Sequence, residues 1–242
     1  LQRNAARGQR DLALFEVGPQ FHGADPGQQV TAATGVRTGA GPRHWSKHQW
    51  AADAFQAKAD VFAILEACGV APESAQVSTD APAWYHPGRS GVLRLGPKLV
   101  LACFGELHPR VLKAFDLQGP VAAFEVLLEA LPAAKPKSTK TKPRLEVSDL
   151  QAVDRDFAFL VKASVPAADV VKAAATAERV LIESVTVFDV YEGKGVEPGH
   201  KSIAISVRLQ PKERTLSEGD IDAVSQKIVA AVMKACSATL RS

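Results

Sequence analysis

The sequence predicts an α+β chain of two domains: a mainly antiparallel sheet with helices, then a βαββαβ unit. Three observations predict it. Before residue 131 the apolar runs are short and strand-like, and only residues 53–68 carry a long helical pattern. The last hundred or so residues read strand, helix, strand, strand, helix, strand. Between them, residues 131–144 hold Pro132, Pro136 and Pro143 with Lys135, Lys137, Lys140, Lys142 and Arg144, and no acidic residue. Such a segment packs no core and reads as a tether. The expected organisation is therefore a domain at 1–133, a basic linker at 134–146 and a domain at 147–242. A solvated tether is the plain reading of the linker; contact with a phosphate backbone is the second.

In the first domain, residues 1–10 are polar and basic, the tail of a helix. Residues 12–21 form a strand broken at Gly18-Pro19, 22–29 a loop and 30–37 a second strand. In the helix at 53–68, Phe55, Phe62, Leu65 and Cys68 form one stripe, and Gly69 ends it. Strands follow at 92–95, 100–104 and 121–126, with a short helix at 107–115 between the last two. In the second domain, residues 155–162 set Phe157, Phe159 and Val161 against Asp156, Ala158 and Leu160. Pro166 opens a helix whose stripe is Val170, Ala174 and Ala177. Residues 180–191 are the second strand. Residues 201–209 alternate without exception, with Ile203, Ile205, Val207 and Leu209 on one side. Ser217 and Asp220 form a weak capping box for a helix that buries Ile221, Val224, Ile228 and Val232. Residues 239–241 add a short edge strand. This order is the split βαβ, or ferredoxin-like, arrangement, which packs both helices on one sheet face and leaves the other open.

Of the 242 residues, 46% are hydrophobic and 23% charged, enough to bury a core and too apolar for disorder. The net charge of +3 does not by itself indicate nucleic acid. Cys68, Cys103 and Cys236 form no Cys-x-x-Cys pair, so neither a disulfide framework nor a zinc knuckle is indicated, and a reducing cytoplasm is the simplest setting. No apolar run reaches the length of a membrane span, so no membrane partner is expected. The polar start without Met is expected of a segment from inside a longer protein. His44 and His48, four apart, lack a third ligand, so no metal site is expected. His86 and His108 precede prolines in turn-like contexts, with no nucleophile and orienting acid beside them. Arg89 is either solvated or paired with a carboxylate of a partner chain. Trp45, Trp50, Trp84 and Tyr85 suit a protein interface at least as well as a core.

Residues 186–202 read as a strand, a Gly-rich charged loop and a returning strand. Gly193, Gly195, Pro198 and Gly199 are turn formers. Tyr191 beside Asp189, with Lys194 and Lys201 close by, suits a surface that stacks and hydrogen-bonds a flat polar ligand such as an unpaired base. On these residues alone an ordinary long hairpin is the plainer reading. By regular alternation Asp189 and Tyr191 share a face with Val185 and Val187. Either the open face carries those valines or a bulge near residue 188 changes the register.

The runs Arg155-Asp-Phe-Ala-Phe-Leu-Val, Phe188-Asp-Val-Tyr-Glu-Gly-Lys-Gly, Gly199-His-Lys-Ser and Glu213-Arg-Thr-Leu-Ser together resemble the anticodon-binding ferredoxin-fold domain that ends the β subunit of bacterial phenylalanyl-tRNA synthetases. Arg7-Gly-Gln-Arg-Asp-Leu-Ala-Leu-Phe-Glu-Val-Gly, Pro42-Arg-His-Trp, His86-Pro-Gly-Arg-Ser, Gly105-Glu-Leu-His-Pro and Gly119-Pro-Val-Ala-Ala-Phe-Glu resemble the class II synthetase-like, catalytically silent module that precedes it. The resemblance covers nearly the whole chain, in order. It implies that the first domain is part of that module, does no chemistry and braces a catalytic α subunit. It implies a cytoplasmic (αβ)2 enzyme that joins phenylalanine to its tRNA with ATP and Mg²⁺, no cofactor belonging to this chain. It also implies an anticodon site in which Tyr191 stacks on a base and Asp189 accepts from a guanine's N1 and N2 edge. Ser202 and the backbone near Ala158 would complete the pocket, with Lys194, Lys201 and Arg155 as further RNA contacts. Two rivals stand beside this reading. A ferredoxin-like small-molecule regulatory module would need a ligand pocket between paired copies; the long loop and the basic linker favour RNA. A free-standing enzyme would need a nucleophile–base or ATP-clamping motif, and none is read here.

Overall fold

The structure, a computed structural model, describes residues 1–41, 45–46, 51–133, 144 and 147–241. The chain divides into two compact units, Leu1–Lys140 and Thr141–Ser242. The expected linker at 134–146 lies outside the described residues apart from Arg144, as do His44, His48 and Trp50.

After the single turn α1 (Gln2–Ala5), the first unit forms a six-stranded sheet. Its strands are β1 (Leu12–Phe21), β2 (Gln29–Thr38), β3 (Gln76–Ser78), β4 (Tyr85–Leu95), β5 (Leu99–Leu107) and β6 (Val121–Leu127). They lie in the order β1-β2-β6-β5-β4-β3 and every pairing is antiparallel. The row Ala33, Val126, Ala102 and Leu93 crosses four strands and is buried under α2 (Ala54–Ala67). Asp53 caps that helix by accepting from the Gln56 amide at 2.8 Å. Its buried row is Ala57, Val61 and Leu65. Phe55, expected in the stripe, is instead 77% exposed. At about 100° per residue, the six residues from Phe55 to Val61, the centre of that row, leave it about 120° off. The short α3 (Pro109–Ala114) is capped by His108, whose Nδ1 accepts from the Arg110 amide.

Other expectations for this unit change as well. β1 runs unbroken through Gly18-Pro19, because it is an edge strand, where a missing N–H is tolerated. β4 begins at Tyr85, and β3 is too short to carry a pattern. Tyr85 is core, not interface: it is 2% exposed and its hydroxyl donates to Glu125 at 3.0 Å. Burial, then the Glu125 charge, push its phenol well above the usual range. Trp84 donates to the same Glu125 oxygen at 2.7 Å and Gln20 to the other at 3.3 Å. Arg89 pairs within its own chain, with Glu106 at 3.0 Å.

The second unit is a four-stranded antiparallel sheet in the order β10-β7-β9-β8. Its elements are β7 (Val153–Lys162), α4 (Ala167–Ala177), β8 (Ile182–Tyr191), β9 (His200–Leu209), α5 (Glu218–Cys236) and β10 (Thr239–Leu240). Phe159 and Val161 of β7 join Ile203, Ile205, Val207 and Leu209 of β9 against Val170, Ala173 and Ala174 of α4 and Val224, Ile228 and Val232 of α5. Pro166 caps α4 from outside rather than opening its first turn. Lys227 on α5 holds Glu178 at 2.7 Å rather than being merely solvated.

The capping box of α5 is complete. The Ser217 hydroxyl accepts from the Asp220 amide, and the Asp220 carboxylate accepts from the Ser217 amide at 2.9 Å. Arg214 grips the same carboxylate at 2.7 and 2.9 Å. Arg214 first, then Ser217, hold the Asp220 carboxyl far below its ordinary 3.8. A depressed carboxyl contributes stability that is present above its ordinary value and lost as pH falls through the folded value. The unit should therefore lose stability as pH drops below about 4, and Asp220→Ala should lose less over the same interval. Urea unfolding at about pH 5 and about pH 3 checks this; equal acid losses in both proteins would remove Asp220 from the account.

Candidate nucleic-acid interface

The two helices cover one face of the second sheet and leave the other to solvent. Which side chains reach that face is set by cross-strand pairing. On β9, Ser202, Ala204, Ser206 and Arg208 alternate with the buried Ile203, Ile205, Val207 and Leu209. On β7 the partners of that set are Leu160, Ala158, Asp156 and Asp154.

β8 does not keep one alternation. Val185 pairs with Val207 and Val187 with Ile205, so both valines lie on the helix side, packed against the core. The register then shifts: Asp189 pairs with Ala204, Val190 with Ile203 and Tyr191 with Ser202. Phe188 is the extra residue of a bulge, and it moves the odd-numbered residues after it to the open face. Of the two registers left open by the sequence, this is the bulged one.

Three rows therefore cross the open face. Leu160, Ser202 and Tyr191 form one; Ala158, Ala204 and Asp189 the next; Asp156, Ser206 and Thr186 the third. Beyond them Arg208 spans Glu183 at 2.9 Å and Asp154 at 3.4 Å. At the other end the loop 192–199 holds Tyr191 by its edge, the phenol donating to the Lys194 carbonyl at 3.1 Å. Gly193 permits this: its φ is +159°, and an added Cβ would come within 2.9 Å of the Tyr191 oxygen.

Asp189, Tyr191, Ser202 and Ala158 are thus brought together. Lys194 joins them through its main chain. Arg155 and Lys201 are not brought to this face: they pair with Val207 and Val161 and so belong to the helix side. The sequence reading missed Arg241. Its amide donates to the Ala158 carbonyl at 2.8 Å, and its guanidinium lies 5.9 Å from the Tyr191 ring centroid. The available signal was its place one residue beyond the edge strand β10, in alternation with Thr239. Under this reach Ser202 is only 5% and Ala204 only 9% exposed, on a face without helices.

Among the described residues no three His, Cys, Asp or Glu are grouped to hold a metal ion. Among them too, no helix is long and apolar enough to cross a membrane.

A four-stranded antiparallel sheet with two helices on one face and the other left open is a ferredoxin-like arrangement. The family model described as "Ferredoxin-fold anticodon binding domain" matches residues 148–241. That described as "Phenylalanyl tRNA synthetase beta chain CLM domain" matches residues 1–128, more than half of the chain. The chain belongs to the phenylalanyl-tRNA synthetase beta chain family. It is 55% identical over 240 residues to the "Phenylalanine--tRNA ligase beta subunit" of Paramagnetospirillum magneticum and 54% identical over 241 residues to that of Rhodospirillum rubrum. Each match takes in 99% of this chain and 30% of the relative, so the chain spans about a third of the relatives' length. Among solved structures, a pyrrolysyl-tRNA synthetase of Desulfitobacterium hafniense is similar over 53% of this chain and 44% of that one, at 18% identity and a TM-score of 0.39. That likeness is too slight to bear on function.

Proposed function

We propose that this chain reads the anticodon of phenylalanine tRNA and braces the catalytic α subunit of a cytoplasmic (αβ)2 phenylalanine–tRNA ligase, without chemistry of its own. The bulge at Phe188 carries this reading, because it sets Asp189 and Tyr191 beside Ser202 and over Ala204 on a helix-free face. A base stacks on Tyr191 and presents its edge to Asp189, whose two oxygens match the N1–H and N2–H donors of guanine. Ser202 and the main chain at Ala158 border the same place. Lys194 supplies positive charge at the rim, whereas Arg155 and Lys201 lie off this face.

Bracing is supported by β1, whose Phe15, Val17 and Phe21 share one side and are 82%, 55% and 67% exposed. An edge strand with that much uncovered apolar surface suits a protein partner. ATP and Mg²⁺ would be held by the α subunit. Residues 134–146 would serve as the tether between a bracing module at 1–133 and a reader at 147–242.

The test is a titration of the chain with phenylalanine tRNA and with copies altered in the anticodon, at matched salt. The cognate copy should bind more tightly, and equal affinities would sink anticodon reading. The pure chain should show no phenylalanine-dependent ATP–pyrophosphate exchange; detectable exchange would overturn the non-catalytic assignment.

A further inference from the structure

The three rows across the open face differ in height. The outer two carry Leu160, Ser202 and Tyr191, and Asp156, Ser206 and Thr186. The middle row has only methyl groups at Ala158 and Ala204 before it reaches Asp189. Alternate residues of a strand lie about 6.8 Å apart and neighbouring strands about 4.8 Å. The middle row is therefore a notch two strands wide, closed by Asp189 at one end and by the Arg241 main chain on Ala158 at the other, and the Arg241 side chain reaches over it to within 5.9 Å of the Tyr191 ring centroid. Its floor, between rows that rise on both sides, has the width for the edge of one flat ring, about 3.5 Å thick.

We propose that Ala204 determines specificity: its single methyl sets the depth of the notch, and that depth decides whether a purine edge can reach Asp189 while its face rests on Tyr191. This rests on the reading of Asp189 and Tyr191 as the base-contacting pair. Ala204 sits directly opposite Asp189, so anything larger there rises into the path between the carboxylate and an incoming base. Ala204 is 9% exposed, beneath the reach of Arg241 towards Tyr191. The residue faces away from both helices and is not part of the core cluster of this unit. A valine would suit a strand at least as well. A purely structural role would show as a lowered melting temperature in Ala204→Val with the guanine preference kept. A depth-setting role would leave the fold intact and remove discrimination.

The experiment uses the 242-residue chain and RNA hairpins whose loop presents one guanine, or inosine in its place, which lacks the 2-amino group. The unaltered chain should prefer guanine. Ala204→Val should melt at an unchanged temperature, keep salt-sensitive binding to both hairpins, and lose about ten-fold or more of the guanine preference. Ala204→Gly, which leaves the notch open, should keep the preference, and Ala204→Ser should fall between the two. If valine unfolds the chain, the serine variant decides: an undiminished preference in it overturns the proposal, as does an undiminished preference in folded Ala204→Val. A missing preference in the unaltered chain would instead defeat the assignment of Asp189 as the reader.

Discussion

Replacing Tyr191 by alanine is expected to weaken binding of anticodon-loop RNA by about 5- to 150-fold, equivalent to about 1–3 kcal/mol for one stacked base. The expectation rests on how the ring is held. Its hydroxyl is tied to the Lys194 carbonyl, and the Phe188 bulge fixes its strand position opposite Ser202. A ring already ordered in this way loses little freedom when a base arrives, so most of the stacking energy is retained as affinity. Tyr191→Phe keeps the ring and gives up only the tie to the loop, and should lose far less than alanine does. Fluorescence anisotropy with a labelled loop RNA measures both. An alanine variant that binds as tightly as the parent would show that no base rests on this ring.

The largest effect on stability is expected at Phe159. It is fully buried, stacked on Phe157 at 6.2 Å between centroids, and opposite Ile203 in the middle of the sheet. Phe159→Ala should cost about 3–5 kcal/mol, because neighbours fixed by two helices and three strands cannot close the cavity. A marginally stable unit would then be largely unfolded at moderate urea. Chemical denaturation followed by circular dichroism checks this. A loss below about 1 kcal/mol would mean that the core relaxes around the vacancy.

The sequence was most legible where burial and polarity alternate without conflict. β9 is such a stretch, and its inward set is the observed one. The capping box of α5 and the helix order of the second unit were also readable, since each rests on local chemistry. The register of β8 was not. With Val185, Val187, Phe188 and Val190 all apolar, both alternations fit, and the choice depends on a main-chain irregularity that composition does not encode. Phe55 misled because its apolar side chain suits a stripe, although the buried row, Ala57, Val61 and Leu65, lies on another side of the helix. Tyr85 misled because the partner that satisfies its hydroxyl, Glu125, is 40 residues away. Arg241 could be placed only once β10 was known to pair with β7, and Arg155 and Lys201, whose charge suited RNA, alternate away from the open face.

The Phe188 bulge has a second consequence, for solubility. β8 is an edge of its sheet, and with Phe188 57% and Val190 51% exposed it would otherwise offer a tempting template for strand addition by another molecule. A bulge twists the edge and leaves one residue out of step, so an incoming regular strand cannot match its hydrogen-bonding groups for more than a few residues. β1, the other long edge strand, has no bulge but carries Pro19, which removes one donor from its ten residues. The irregularity that turns Asp189 and Tyr191 outward thus also discourages the chain from polymerising along β8.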